Sequence, residues 1–210
     1  MEKIVAIVLN GQALEIQRAR QVLKEATTII AADGGANYCL QHGITANYII
    51  GDLDSIKQNA RDIPEQTELI YLSDQYSTDL EKALNLAESL TPDVLRVLNA
   101  TGKRSDHTIA NLLFLARFNK RTKVEVYDNF GKLSFLEPAE HELTLQVGTT
   151  VSFTSFGPLQ NLTLEGFKYP LRNASFPDFF VGISNVVSKW PCLVRFEQGS
   201  LIMYEVERFE

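Results

Sequence analysis

Cysteine is nearly absent: Cys39 and Cys192 are the only two in 210 residues, and no CxxC pair occurs. That excludes a disulfide-stapled scaffold and a thiolate zinc site, and it fits reduced thiols in a cytoplasmic protein. Long hydrophobic runs are missing too. None approaches a membrane span, so no membrane partner is expected. The first apolar run, residues 4–9, ends at Asn10-Gly11-Gln12 and reads as a strand rather than a signal peptide. Asn161-Leu162-Thr163 and Asn173-Ala174-Ser175 match the glycosylation pattern, but without an export signal both are read as chance. Basic residues are outnumbered, 20 against 26 acidic ones, for a net charge of -6, which disfavours a nucleic-acid partner. What remains is ordinary for a soluble globular chain, 45% hydrophobic and 22% charged, with length for one large or two small domains.

The chain has two rhythms. In the first part, short β-branched runs at 3–9, 27–31, 48–50, 68–72, 94–98 and 123–127 alternate with helix-like stretches at 14–25, 80–90 and 108–118. The second of these places Leu80, Ala83, Leu84, Ala87 and Leu90 on one stripe; the third does so with Ile109, Leu112, Leu113, Leu115 and Ala116. Such alternation predicts an α/β domain whose mainly parallel sheet is flanked by helices. After Tyr127 strand-like runs follow at 132–136, 142–147, 150–156, 159–164, 183–187, 193–197 and 201–206, punctuated by Gly and Pro and without a helix. This predicts an all-β C-terminal β-sandwich. The expected domains are 1–131 and 132–210.

Polar motifs stand at the ends of the predicted parallel strands. Asn10-Gly11 follows the first and Asp33-Gly34-Gly35-Ala36-Asn37 the second. Gly51-Asp52-Leu53-Asp54-Ser55 follows the third, and Asp74-Gln75-Tyr76-Ser77-Thr78-Asp79 the fourth. Thr101-Gly102-Lys103-Arg104-Ser105-Asp106-His107 follows the fifth. In an open parallel sheet these loops emerge at one edge, where ligands bind. Taken singly, each has a plain reading: a solvated turn, or a helix cap at Thr78-Asp79 and Ser105-Asp106. Taken together, they crowd six carboxylates beside Lys103 and Arg104. Oxygen ligands without a Cys or His cluster suggest Mg²⁺, and glycines let a backbone approach phosphates, so the combined expectation is a Mg²⁺–nucleotide site. A P-loop is excluded, because no Gly precedes Gly102 by five residues and Arg104 stands where Ser or Thr is required. No GxGxxG follows the first strand either.

These motifs, in this order over nearly the whole chain, resemble the thiamine pyrophosphokinase family. The second half adds Gly166-Phe167-Lys168-Tyr169-Pro170-Leu171, Gly182-Ile183-Ser184-Asn185 and Gly199. The resemblance implies a Mg²⁺-dependent transfer of pyrophosphate from ATP to the hydroxyl of thiamine, by a homodimer with active sites at the subunit interface. It implies that Asp52, Asp54 and Asp79 hold the metal and the ATP phosphates, with Asp33, Arg104 and Asp106 lining the same cleft. Gly34, Asn37, Ser55, Thr78, Thr101, Gly102, Lys103 and His107 complete the expected ATP side. Gln75, Ser184 and Asn185 are expected at thiamine; Trp190 and Tyr169 are candidate aromatic neighbours of its ring, with core packing as the alternative reading of either. Lys103 stands where the family often has Gly, and Tyr76 where it often has an acid. Asp54 and Asp79 both qualify as acceptor of the hydroxyl proton. Two other functions share these features: a Mg²⁺-dependent transferase or hydrolase for another nucleotide or alcohol, and a non-catalytic regulator that binds nucleotide or thiamine.

Overall fold

A computed structural model describes residues 2–54, 63–74 and 76–207. The chain divides into two compact units, Met1–Asn129 and Phe130–Glu210. Among the described residues no helix is long and apolar enough to cross a membrane.

The first unit contains strands β1 (Ile4–Val8), β2 (Thr28–Ala32), β3 (Tyr48–Gly51), β4 (Glu68–Tyr71), β5 (Val94–Leu98) and β6 (Lys123–Tyr127). They pair in the order β6-β5-β1-β2-β3-β4, and every pairing is parallel. All five residues of β1 are buried, as expected of a central parallel strand covered on both faces. On one face Ala6, Val8 and Ala31 meet Ala19, Val22 and Leu23 of helix α1 (Ile16–Leu23), and Ala36 and Cys39 of α2 (Gly35–Gln41). Helix α3 (Asp79–Ser89) packs on β2 and β3, and α4 (Ser105–Phe118) on β6. Of the predicted stripe of α4 only Leu115 is buried, Leu112 and Ala116 are half-buried and Ile109 and Leu113 are exposed; Phe118, outside that stripe, is buried too.

Two elements differ from the sequence expectation here. Helix α2 has no counterpart among the predicted helix-like stretches, because Gly35-Ala36-Asn37 carries no apolar stripe. It forms because Gly35 lets the helix touch the strand: a Cβ there would lie 2.1 Å from the Val8 carbonyl oxygen. Helix α4 begins three residues before the predicted Thr108, at Ser105, and Arg104 is its extended N-cap residue.

Among the described residues the second unit holds eight strands: β7 (Gly131–Leu136), β8 (Glu140–Leu143), β9 (Thr150–Thr154), β10 (Leu159–Glu165), β11 (Leu171–Phe176), β12 (Val181–Val186), β13 (Cys192–Arg195) and β14 (Leu201–Val206). They form two antiparallel sets, β12-β9-β14-β7 and β11-β10-β13-β8. Val151, Phe153 and Met203 from the first set pack with Leu162, Leu164 and Val194 from the second in one core, which makes the unit a β-sandwich. Phe153 and Phe167 meet edge to face, with centroids 5.4 Å apart. Strand β11 was not expected. Pro170, Asn173 and Pro177 mask it in the sequence, and it pairs with β10 through register shifts, with Asn173 and Asn161 both at positive φ. Strand β8 starts two residues before its predicted position and ends four before. Phe176 and Phe180 pack against each other, with ring centroids 4.6 Å apart, Phe180 within the sandwich core and Phe176 against it.

Candidate active site

The carboxyl ends of the six parallel strands share one edge. Strand order runs outward from β1 in one direction through β2, β3 and β4, and in the other through β5 and β6. The topological switch therefore lies between β1 and β5, where a crevice for a ligand opens in such sheets. The two loops at the switch are tied together. Gly11 N–H donates to the Asn99 carbonyl at 2.8 Å and Gln12 N–H to the Thr101 carbonyl at 2.8 Å. The Lys103 ammonium donates to the backbone oxygen of Asn10 at 2.9 Å and to its Oδ1 at 3.2 Å. Lys103 itself sits at φ 54, a conformation that glycine adopts without strain, which gives a physical reason for a family glycine at this position.

Asp33 follows β2 directly. Its backbone N–H donates to the Ile50 carbonyl at 2.8 Å, its φ is 39, and its side chain is buried. Gly34 is the N-cap residue of α2 and abuts the Asn10 side chain, and Asn37 lies in the first turn of that helix. Gly51 ends β3 with φ 150, and a Cβ there would lie 3.0 Å from the Asp33 Cβ. That close approach brings the loop after β3 onto Asp33. Leu53 turns into the left-handed region at φ 60, and the Asp54 N–H donates to Asp52 Oδ1 at 3.4 Å. As a result, carboxylate oxygens of Asp33, Asp52 and Asp54 all lie within 4.8 Å of one another. Asp33 Oδ1 is buried and has no hydrogen-bond partner among the described residues.

Asp79 opens α3. Thr78 caps the helix, its Oγ1 accepting from Glu81 N–H at 3.2 Å while Glu81 Oε2 accepts from Thr78 N–H at 2.9 Å, a complete capping box. The Asp79 carboxyl is pushed above the usual range, first by burial and next by the charge of Asp33. Lys82 acts in the opposite direction, while Asp52 and Asp54 add to the rise. The fourth carboxylate therefore shares the electrostatic field of the other three. The sequence resemblance grouped Asp79 with Asp52 and Asp54; by distance the closest group contains Asp33 in its place.

Other expected residues occupy varied positions. Asp74 is engaged locally, accepting from Tyr76 N–H at 2.9 Å, from Ser77 N–H at 3.1 Å and from the Ser77 hydroxyl. Tyr76 is fully exposed. Arg104 and Asp106 are exposed and form a two-point ion pair. Asp106 also accepts from His107 N–H at 3.0 Å. Thr101 and Gly102 lie in the loop between β5 and α4, and Thr108 Oγ1 donates to the Arg104 carbonyl at 3.2 Å. Ser55 and Gln75 lie outside the described residues.

In the second unit Ser184 is exposed at φ 56, and its N–H donates to Ser152 Oγ at 3.0 Å. Asn185 is buried, and its amide is turned inward. It accepts from Tyr169 N–H at 3.0 Å and Val186 N–H at 2.9 Å, and donates to the Tyr169 carbonyl at 2.8 Å. Asn185 thereby fixes the backbone of Tyr169, whose ring is exposed with the Lys168 ammonium 5.4 Å from its centroid. Trp190 is exposed as well. The inward role of Asn185 leaves no signal in a single sequence, because an asparagine that clamps a backbone reads the same as one that faces a ligand.

Known proteins place this arrangement. Residues 19–127 match the thiamin pyrophosphokinase catalytic domain, and residues 140–201 match the thiamin pyrophosphokinase vitamin B1 binding domain. Thiamine pyrophosphokinase of Bacillus subtilis is 30% identical over 208 residues, covering 96% of this chain and 97% of that one. The crystal structure of a Bacillus subtilis thiamine pyrophosphokinase superposes with a TM-score of 0.82 at 28% identity, over 99% of this chain and 100% of the other. Thiamin pyrophosphokinase from Candida albicans, at 19% identity, shares the fold with a TM-score of 0.83 over 98% of this chain and 90% of that one. With both halves matched in order and a relative at this identity along nearly its full length, the chain belongs to the thiamin pyrophosphokinase family, enzymes that produce thiamine diphosphate.

Proposed function

We propose that ATP and thiamine react at the carboxyl edge of the parallel sheet, giving thiamine diphosphate and AMP. The observation that carries the placement is the group of Asp33, Asp52 and Asp54, with oxygens within 4.8 Å of one another and Asp33 Oδ1 left without a partner among the described residues. Three carboxylates this close repel one another unless a cation joins them, and an orphaned oxygen is a free ligand position. The donors are all hard oxygens, which fits Mg²⁺. Asp33, Asp52 and Asp54 would hold the ion, which supplies positive charge against the phosphate oxygens.

The chain's own groups do the rest. Lys103 and Arg104 neutralise phosphate charge from the loop after β5, beside Thr101, Gly102 and His107. Gly34, Asn37 and Thr78 bound the nucleotide from the other side of the switch. The thiamine hydroxyl oxygen bonds to the β-phosphorus, the bond from that phosphorus to the α–β bridging oxygen breaks, and the electron pair leaves on AMP. The hydroxyl proton passes to a carboxylate. Asp79, whose carboxyl is held above the usual range first by burial and next by the charge of Asp33, is the candidate acceptor. Ser184, Trp190 and the Asn185-anchored Tyr169 are the thiamine-facing candidates of the second unit. A homodimer belongs to this reading, supported by the exposed Phe179, Val181 and Ile183 at and before β12, the end strand of its sheet, which a second copy would cover.

Incubation with ATP, MgCl₂ and thiamine, followed by mass detection, tests the reaction. Equal amounts of thiamine diphosphate and AMP are expected. Release of ADP, or nucleotide breakdown with no thiamine diphosphate, would overturn it.

A further inference from the structure

Lys82 lies one turn into α3, and its side chain is only 6% exposed. Its neighbours Ala83, Leu84 and Ala87 are apolar and buried. The Nζ stands 4.0 Å from Asp79 Oδ1, an ion pair by charge but beyond hydrogen-bond length. Among the described residues the Lys82 nitrogen is not one of the fully buried atoms that lack a partner, so the stem is buried while the charged end is not sealed off. Two local preferences oppose a lysine here. Packing most of a lysine side chain among apolar neighbours partly desolvates its ammonium, which is unfavourable unless opposite charge stands near. The first turns of a helix also present the positive end of the backbone dipole, which disfavours a cation. What offsets both is the negative charge concentrated next to it: Asp79, and with Asp79 the group of Asp33, Asp52 and Asp54.

We propose that Lys82 is the chain's internal counter-cation for this acidic group, and that by offsetting its charge it weakens binding of a bare divalent cation. The inference rests on reading the group as a divalent-cation site. Before substrate arrives, one lysine charge keeps the carboxylates together and keeps their hold on free Mg²⁺ loose. When a nucleotide enters, its phosphates add negative charge beyond what Lys82 offsets, which favours the divalent ion. The cation then binds with the nucleotide rather than ahead of it. Lys82 is in this sense a positioning residue, acting through Asp79 rather than on substrate.

Calorimetric titration of the full chain with MgCl₂ alone separates the outcomes, using the wild type, Lys82→Met and Lys82→Arg. Lys82→Met should bind Mg²⁺ about tenfold more tightly, the effect of removing one partly screened positive charge. Lys82→Arg keeps the charge and should stay within about threefold of wild type. The melting temperature of Lys82→Met should also rise more on adding MgCl₂ than that of the wild type. Equal or weaker Mg²⁺ binding by Lys82→Met overturns the proposal. A Lys82→Met chain that folds only with MgCl₂ supports it, since the ion then replaces the lysine. One that fails to fold with and without MgCl₂ overturns it. If none of the three proteins binds Mg²⁺, the cation site itself falls, and the proposal with it; if all three bind alike, only the role of Lys82 falls.

Discussion

Arg104 holds Asp106 at two points, Nε to Oδ1 at 3.1 Å and Nη2 to Oδ2 at 2.5 Å, just where the loop after β5 becomes α4. The guanidinium pulls the Asp106 carboxyl down to about 2, against an ordinary value of 3.8. A lowered folded-state value means that the pair's contribution to stability is present above the unfolded value and is lost as pH falls from 3.8 through about 2. Both side chains are exposed, so the effect belongs to this pair and not to the core.

Arg104→Ala should return the Asp106 carboxyl to its ordinary range, measurable by carboxyl-carbon NMR titration. The same variant should lower the melting temperature at neutral pH only slightly, because the lost pair is exposed, and raise KM for ATP by about tenfold, the usual cost of losing a charged hydrogen-bond donor to a phosphate. An Asp106 carboxyl still near 2 in the variant would show that His107 N–H, not Arg104, holds it down.

Asp79 is shifted the other way, and Asp33 is the strongest single charge behind the shift. A carboxyl raised in the folded state keeps its proton longer than in the unfolded state. The unfolded state then binds fewer protons, and stability declines as pH rises from 3.8 through the folded value. Asp33→Asn should lower the Asp79 carboxyl and flatten that decline. Urea melts of the metal-free protein at a series of pH values, beside an NMR titration of Asp79, check both parts. An unmoved Asp79 would mean that the two carboxylates do not share a field.

Much of this site is legible in the sequence because parallel-strand topology is periodic and its consequence is geometric. Short β-branched runs alternating with stripes such as Leu80, Ala83, Leu84 and Ala87 place the loops after β1 to β5 on one edge. That juxtaposition is what converts Asp52 and Asp54 from a turn into half of a ligand group. Distances are another matter. That Asp33, and not Asp79, closes the nearest group depends on the Gly51 backbone touching Asp33, a contact between strands with no pattern of its own. Helix α2 was hidden for the same reason, since a glycine contact rather than an apolar stripe seats it. Strand β11 was hidden by prolines and by asparagines at positive φ, which read as turn chemistry and act here as bulges. Lys82 drew no role of its own because a lysine in an amphipathic helix reads as solvated, and only burial reveals otherwise.

The seat of α2 gives a stability prediction with an internal control. A Cβ on Gly35 would meet the Val8 carbonyl oxygen at 2.1 Å and its carbon at 2.8 Å, both backbone atoms that cannot swing away. Gly35→Ala should cost about 3 kcal/mol in chemical denaturation, the upper range for overpacking, and should shift Asp33 with the helix start. Gly43, just past the end of α2, has nothing within 4 Å and φ 64. Gly43→Ala should cost only about 1 kcal/mol of backbone strain and leave turnover unchanged. Comparable losses in both variants would remove the close contact as the reason for the glycine at 35.

The carboxylates themselves should separate by role. Asp52→Asn keeps the size of the side chain and removes one charge from the closest group, so divalent-cation affinity and turnover should fall together. A loss of roughly 3 kcal/mol or more in kcat/KM is expected, as for other groups that stabilise transferring phosphate. Asp79→Asn should lower turnover by a similar amount, yet weaken MgCl₂ binding less than Asp52→Asn does, because it stands beside the three-carboxylate group and not within it. Isothermal titration with MgCl₂ alongside AMP-release kinetics distinguishes the two variants. Asp79→Asn protein that loses cation affinity as fully as Asp52→Asn would make Asp79 a metal ligand and return the proton-accepting role to Asp54.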